Sequence, residues 1–117
     1  MSVRPAASSV RLIDRTFSAL ADPHRRQVIE LLRERPRRAG ELAEAVGLSP
    51  PAMSRHLKTL RESRLVEETP AEFDTRVRIY RLRPQPMAHL KAWLEQTERL
   101  WSEQLLAFKD HVEKKER

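Results

Sequence analysis

No cysteine occurs in the chain. Disulfides, zinc–thiolate centres and thiol redox sensing are therefore excluded. Glycine occurs only twice, too rarely for a loop that cradles phosphates. Aromatic residues make up 5% of the sequence, so Leu, Ile and Val must supply most of the core. No apolar run approaches the ~18 residues that a membrane-spanning helix needs. The opening MSVRPAASSV has no apolar stretch of the kind that a secretory signal carries. These absences predict a cytoplasmic protein with no membrane partner, in which residues 1–8 form a flexible tail and residues 9–117 form one domain.

A chain of 117 residues suits a single domain with one modest core. Lys and Arg number 23 against 17 Asp and Glu, a formal net charge of +6. That charge is unevenly placed. Residues 86–117 hold six basic and six acidic side chains, so the whole excess lies in residues 1–85. A polyanionic partner belongs there, and the C-terminal segment has a different task.

Apolar spacing predicts a first helix over about Val10–Leu20, carrying Leu12, Ile13, Phe17 and Leu20 on one face. Asp22 can cap a second helix with Pro23 at its first position, where a missing N–H costs nothing. This helix carries Val28, Ile29, Leu31 and Leu32 and ends before Pro36. Gly40–Val46 reads as a short third helix stopped by Gly47. Ser49 caps a fourth, with Pro50 at its first position and Pro51 still inside the first turn. Two short helices joined by a tight turn containing Gly have the layout of a helix-turn-helix. From Val77 to Leu82 the period becomes that of a strand, with Leu65–Glu68 as its antiparallel partner. A long last helix covers about 86–113. The predicted fold is mainly α with a small β-hairpin, in the order α-α-α-α-β-β-α.

On a helical wheel the fourth helix divides cleanly. Met53, Leu57 and Leu60 face inward, while Pro51, Ser54, Arg55, Lys58 and Glu62 face outward. Short residues near the N-terminus followed by long donors suit a helix entering a major groove. The hairpin behind it, with Arg76, Arg78, Arg81 and Arg83, suits a wing that touches backbone phosphates. Ser54 and Arg55 are the expected base readers, with Pro51 and Ala52 beside them. Ser49, Lys58, Arg61, Arg76 and Arg78 complete the expected DNA contacts.

Three segments also resemble a known family. Leu20-Ala21-Asp22-Pro23-His24-Arg25-Arg26 through Ile29-Glu30-Leu31-Leu32 resembles the start of the ArsR/SmtB repressors. Residues 40–49, GELAEAVGLS, resemble their first DNA-binding helix and turn. Residues 54–61, SRHLKTLR, resemble their recognition helix. The resemblance implies a winged helix-turn-helix homodimer that represses transcription from a partly palindromic operator in double-stranded DNA. The terminal helices would form the dimer interface. Arg64 stands where family members commonly have Gly before the Leu-Val pair that opens the wing. Glu72 and Asp74 at the wing tip would repel phosphate.

The apolar stripe of the last helix is wider than a domain this small can cover alone. Phe17, Leu20, Leu90, Trp93, Leu94, Leu100, Trp101, Leu105 and Phe108 are the expected dimer contacts. No metal site or cofactor is expected. His89 and His111 lack the partners that complete the family's histidine pairs: Met87 stands two residues before His89, and Lys114 three after His111. The four histidines are scattered in sequence, and His56 reads as a structural, hydrogen-bonded residue. No nucleophile and base occur in a recognisable arrangement, so an enzyme is not expected. Two alternatives stay open. One is a winged-helix module that binds a protein partner. The other is a repressor released by a small apolar inducer between the terminal helices, lined by Trp93 and Trp101.

Overall fold

The computed structural model describes residues 7–116. Five helices and three short strands follow in the order α1 (Ala7–Leu20), α2 (Pro23–Glu34), β1 (Arg37–Arg38), α3 (Ala39–Val46), α4 (Pro50–Glu62), β2 (Val66–Pro70), β3 (Arg78–Leu82) and α5 (Pro84–Lys115). Residues up to Met87 form one compact unit and residues from Ala88 onward another. The first six residues of the expected tail lie outside the described residues, and α1 begins three residues before the Val10 expected from apolar spacing.

The helix boundaries have local causes. At the start of α2, the Asp22 carboxylate accepts the N–H groups of His24 at 2.8 Å and Arg25 at 3.2 Å, two donors that the helix itself cannot satisfy. Helix α3 stops at Gly47, whose φ of 77° is left-handed. The Leu48 N–H then turns back to the Ala43 carbonyl at 2.9 Å. Ser49 Oγ accepts the Ala52 N–H at the start of α4. The far end of α4 repeats the stop seen at Gly47. Leu65 N–H donates to the Leu60 carbonyl at 3.0 Å, but here the left-handed residue is Arg64, with φ 62°. A side chain with a Cβ is disfavoured in that region.

The sheet is antiparallel, with spatial order β1-β3-β2. Strand β2 pairs Val66 with Leu82 and Glu68 with Tyr80, and β1 pairs Arg37 with Tyr80. The expected hairpin is therefore β2–β3, and β1 adds a third strand that the sequence did not announce. Strand β3 begins at Arg78, one residue after the Val77 expected, and β2 runs on to Pro70. The core joins Ala19 of α1 to Val28, Ile29 and Leu32 of α2, Leu42 and Ala43 of α3, Met53, Leu57 and Leu60 of α4, and Leu65, Val66 and Tyr80 of the wing. Met87, in the first turn of α5, packs against this cluster. The remainder of α5 is a single helix that carries most of the exposed large apolar side chains among the described residues.

A polar network fastens the wing to α4. Tyr80 Oη donates to Glu68 Oε2 at 2.6 Å. Arg61 of α4 lies 3.4 Å from the same oxygen, and Arg78 reaches Glu68 Oε1 at 3.2 Å. The Tyr80 hydrogen bond, followed by the Arg61 and Arg78 charges, holds the Glu68 carboxyl below its ordinary value against the opposing effect of burial. Burial and the bond to Glu68 push the Tyr80 phenol up to about 12.

Three substitutions test these contacts. Arg64→Gly should stabilise the protein by roughly 0.5–1 kcal/mol in urea denaturation, because relief of left-handed strain exceeds the entropy cost of glycine. A neutral or destabilising result would show that Arg64 adopts this conformation without strain. The Glu68 network should appear in the pH dependence of stability. A carboxyl with a lowered folded value contributes stability above its ordinary 4.5 and loses it as pH falls through the folded value. Glu68→Gln should therefore lower stability at pH 7 and flatten the loss on acidification. Tyr80→Phe should cost about 1.5–3 kcal/mol at pH 7, the range for a hydrogen bond to a charged group.

Candidate nucleic-acid interface

Burial of Met53, Leu57 and Leu60 against the core fixes the rotation of α4 about its axis. Ser49, Pro51, Ser54, Arg55, Lys58 and Arg61 are exposed as a result, and Ala52 is half-buried. The inward and outward faces thus match those read from the wheel. Helix α4 also presents the N-terminal part that suits close approach: Ser49, Pro51, Ala52 and Ser54 are short. Ser49 combines two tasks, since its oxygen is the cap acceptor of α4 while its hydroxyl hydrogen stays available to donate.

The basic side chains separate into two groups. Arg55 and Lys58 make no ion pair with any of the described residues, so their charge is unshared. Arg81 and Arg83 of the wing likewise make no ion pair among the described residues, whereas Arg61, Arg76 and Arg78 are already engaged. Arg61 and Arg78 share Glu68. Arg76 is doubly bonded to Asp74, at 3.2 Å to each oxygen, and accepts no burial in doing so, being 89% exposed. Such an exposed pair is weak and can be exchanged for a phosphate. The Arg76 hydrogen bonds hold the Asp74 carboxyl below its ordinary value, so the acidic tip residue is locally compensated, while Glu72 remains exposed.

The wing tip holds a residue that sequence reasoning passed over. Phe73 is 74% exposed, and the Arg38 guanidinium stands 6.0 Å from its ring centroid. A lone Phe in a loop gave no periodic signal, and its exposure follows from the hairpin closing at Ala71–Val77, where the Ala71 N–H meets the Val77 carbonyl at 2.8 Å.

The expected dimer residues also divide. Leu20 packs against the core of its own chain and Leu90 is buried within the single chain. Phe17, Trp93, Leu94, Leu100, Trp101, Leu105 and Phe108 are exposed, Trp101 to 62%. Leu106 and Val112 of α5 are exposed as well.

The histidines are less scattered in space than in sequence. His56, on α4, lies with its ring centroid 5.7 Å from that of His24 at the start of α2. Arg25 Nη1 contacts His56 Nδ1 at 3.3 Å, which agrees with the structural reading of His56. Arg25 also donates to the Ala19 carbonyl at 2.7 Å and the Ser18 carbonyl at 3.2 Å, so one guanidinium joins the end of α1, the start of α2 and the middle of α4. Asp22, His24 and His56 present ligand-type atoms that all lie within 4.8 Å of one another. Linear spacing could not reveal this group, because His56 reaches it through the packing of α4 on α2.

Among the described residues, no helix is long and apolar enough to cross a membrane. Residues 22–68, which span α2 to the first wing strand, match the family described as bacterial regulatory protein, arsR family. Over 101 residues the chain is 42% identical to the HTH-type transcriptional regulator Rv2034 of Mycobacterium tuberculosis, covering 86% of this chain and 89% of that protein. It is 32% identical over 56 residues to the transcriptional repressor SdpR of Bacillus subtilis, covering 48% of this chain and 62% of that one. The fold is shared with Mb0332 of Mycobacterium bovis, a homodimeric winged helix-turn-helix DNA-binding domain, at a TM-score of 0.64 and 23% identity over 86% of this chain and 94% of that chain. With helix-turn-helix, wing and basic outward face in place, the chain belongs to the arsR family of bacterial regulatory proteins and is a DNA-binding transcriptional regulator.

Proposed function

We propose that this regulator is a cytoplasmic repressor that binds a palindromic operator as a homodimer, reading bases with the N-terminal half of α4. The observation that carries this reading is the unshared charge of Arg55 and Lys58, on a helix face whose N-terminal residues are short. A planar guanidinium can donate two bonds to guanine O6 and N7, whereas a lysine acts as a point charge at phosphate. Ser54 and Arg55 are accordingly the base readers, and Lys58 is a backbone contact. Arg61, Arg76 and Arg78 exchange part of their internal pairing for phosphates. Ser49, Pro51 and Ala52 line the approach. A repressor acts by occupancy, so no catalytic group is required.

Dimerisation is read from α5. Its exposed Leu94, Trp101, Leu105 and Phe108 recur at helical spacing, and monomers avoid apolar patches of this size. Two-fold pairing is the commonest closed arrangement, and the homodimeric state of Mb0332 supports the same assignment. Half-sites should then be centred about one DNA turn apart, or a multiple of it.

Arg55→Ala should cost about 1–3 kcal/mol on the preferred site and flatten the preference at one position per half-site. Affinities across a panel of single-base operator variants decide the point. A uniform loss would make Arg55 a phosphate anchor and move base reading to Ser54 and its neighbours. Lys58→Ala should weaken all sequences alike and reduce the salt dependence by about one phosphate per half-site. Analytical ultracentrifugation at micromolar concentration should show a dimer for the native chain. Trp101→Glu should dissociate or unfold it by placing an unpaired charge at the interface, and a stable native monomer would overturn the assignment.

A further inference from the structure

We propose that Asp22, His24 and His56 form a binding site for a divalent transition-metal ion, with zinc as the ion its donors suit best. Two imidazoles and one carboxylate are a common donor set for zinc that keeps a fourth position for water. Bonds of about 2.0–2.2 Å place tetrahedral ligand atoms about 3.4 Å apart. The three side chains here already offer atoms within 4.8 Å of one another, so closing the site takes a shift of about one ångström. His24 can make that shift, because its side chain is 46% exposed and holds no hydrogen bond of its own among the described residues. The same exposure gives the ion a path from solvent.

The surroundings are those of an oriented ligand set. Asp22 Oδ1 is fixed by the N–H groups of His24 and Arg25, and Oδ2 lies 4.0 Å from Arg25 Nη1, so an ion bound through Oδ2 would take the place of that charge. Outer contacts of this kind orient metal ligands. Arg25 is the competing group. Its Nη1 faces His56 Nδ1 at 3.3 Å, a contact that needs a lone pair on Nδ1. A metal-bound neutral imidazole keeps one nitrogen for the ion and a hydrogen on the other. If Nδ1 binds the ion, Arg25 is displaced from it. If Nε2 binds, Nδ1 carries hydrogen and can no longer accept from Arg25. Metal loading and the Arg25–His56 contact are therefore mutually exclusive. The ion would replace a guanidinium link between α2 and α4 by a direct one, while Arg25 keeps its bonds to the Ser18 and Ala19 carbonyls.

The test is calorimetric titration of the full, tag-free chain with zinc chloride, alongside cobalt(II) absorption in the visible range. One ion per chain and the intense bands of tetrahedral cobalt are expected. His24→Gln, His56→Gln and Asp22→Asn should each weaken binding about tenfold or more. Asparagine preserves the cap of α2, and His24 is too exposed for its replacement to threaten folding, so loss of binding in the Asp22 and His24 variants cannot be attributed to unfolding. A double variant, His89→Gln with His111→Gln, should bind as the native chain does. Absence of stoichiometric binding would overturn the proposal. So would binding that survives His24→Gln, or binding lost in the His89/His111 variant.

Discussion

The burial of one face of α4 governs what the rest of the molecule can do. Met53, Leu57 and Leu60 are almost completely removed from solvent, each contributing on the order of 1.5–3 kcal/mol by burial. Successive residues of an α-helix are about 100° apart, so turning α4 by a single residue would expose this set and could bury Ser54 and Lys58 in its place. Packing therefore decides which side chains face outward, before any partner is considered. The two ends of α4 complete the constraint. Ser49 and Gly47 set where the helix begins, and the left-handed Arg64 returns the chain to the core at Leu65. Between these stops the helix has one rotation and one length, which is what a rigid reading element requires.

Much of this was legible because the signals were local. Asp22-Pro23 and Ser49-Pro50 each combine a side-chain acceptor with a residue that needs no N–H, and both mark a helix start to the residue. Gly47 marks a stop by its freedom at positive φ. The two-residue strand β1 was not legible. Arg37 and Arg38 have no strand propensity to display, and they become a strand only by pairing with Tyr80 and Ile79, more than forty residues away. The start of α5 at Pro84 was read two residues late, since both Pro84 and Pro86 can occupy a first turn. The group of Asp22, His24 and His56 illustrates the same limit at a site. The first two are neighbours in sequence, but the third arrives by tertiary packing alone.

Net charge was informative at the scale of the unit and misleading at the scale of the residue. The excess of basic groups does lie outside the segment 86–117, and Arg55 and Lys58 on the outward face of α4 are part of it. Yet the fold distributes its carboxylates selectively. Glu68 engages two of the expected phosphate contacts, and Asp74 engages a third. The partners of Glu68 are seven and ten residues away, on another helix and another strand, so counting charges along the chain could not identify them. Arg55 and Lys58 differ from Arg61, Arg76 and Arg78 in having no such partner among the described residues, a property that only three-dimensional placement reveals.

That distribution also explains how the wing can meet a polyanion without coming loose from α4. A phosphate near Arg61 or Arg78 competes with Glu68 for the guanidinium, and these contacts are partly exposed, with little to lose in the exchange. The Tyr80–Glu68 bond differs. At 2.6 Å, with the phenol buried, it is a short hydrogen bond to a charged acceptor, the stronger kind. A phosphate that displaced it would forfeit that short bond, made by a residue only 8% exposed. The arginines can therefore turn outward while Glu68 stays anchored across the hairpin, opposite Tyr80 in the strand register. The wing keeps its internal shape through that pair, and in the proposed mode of binding its guanidinium groups would serve the fold before contact and the phosphate after it.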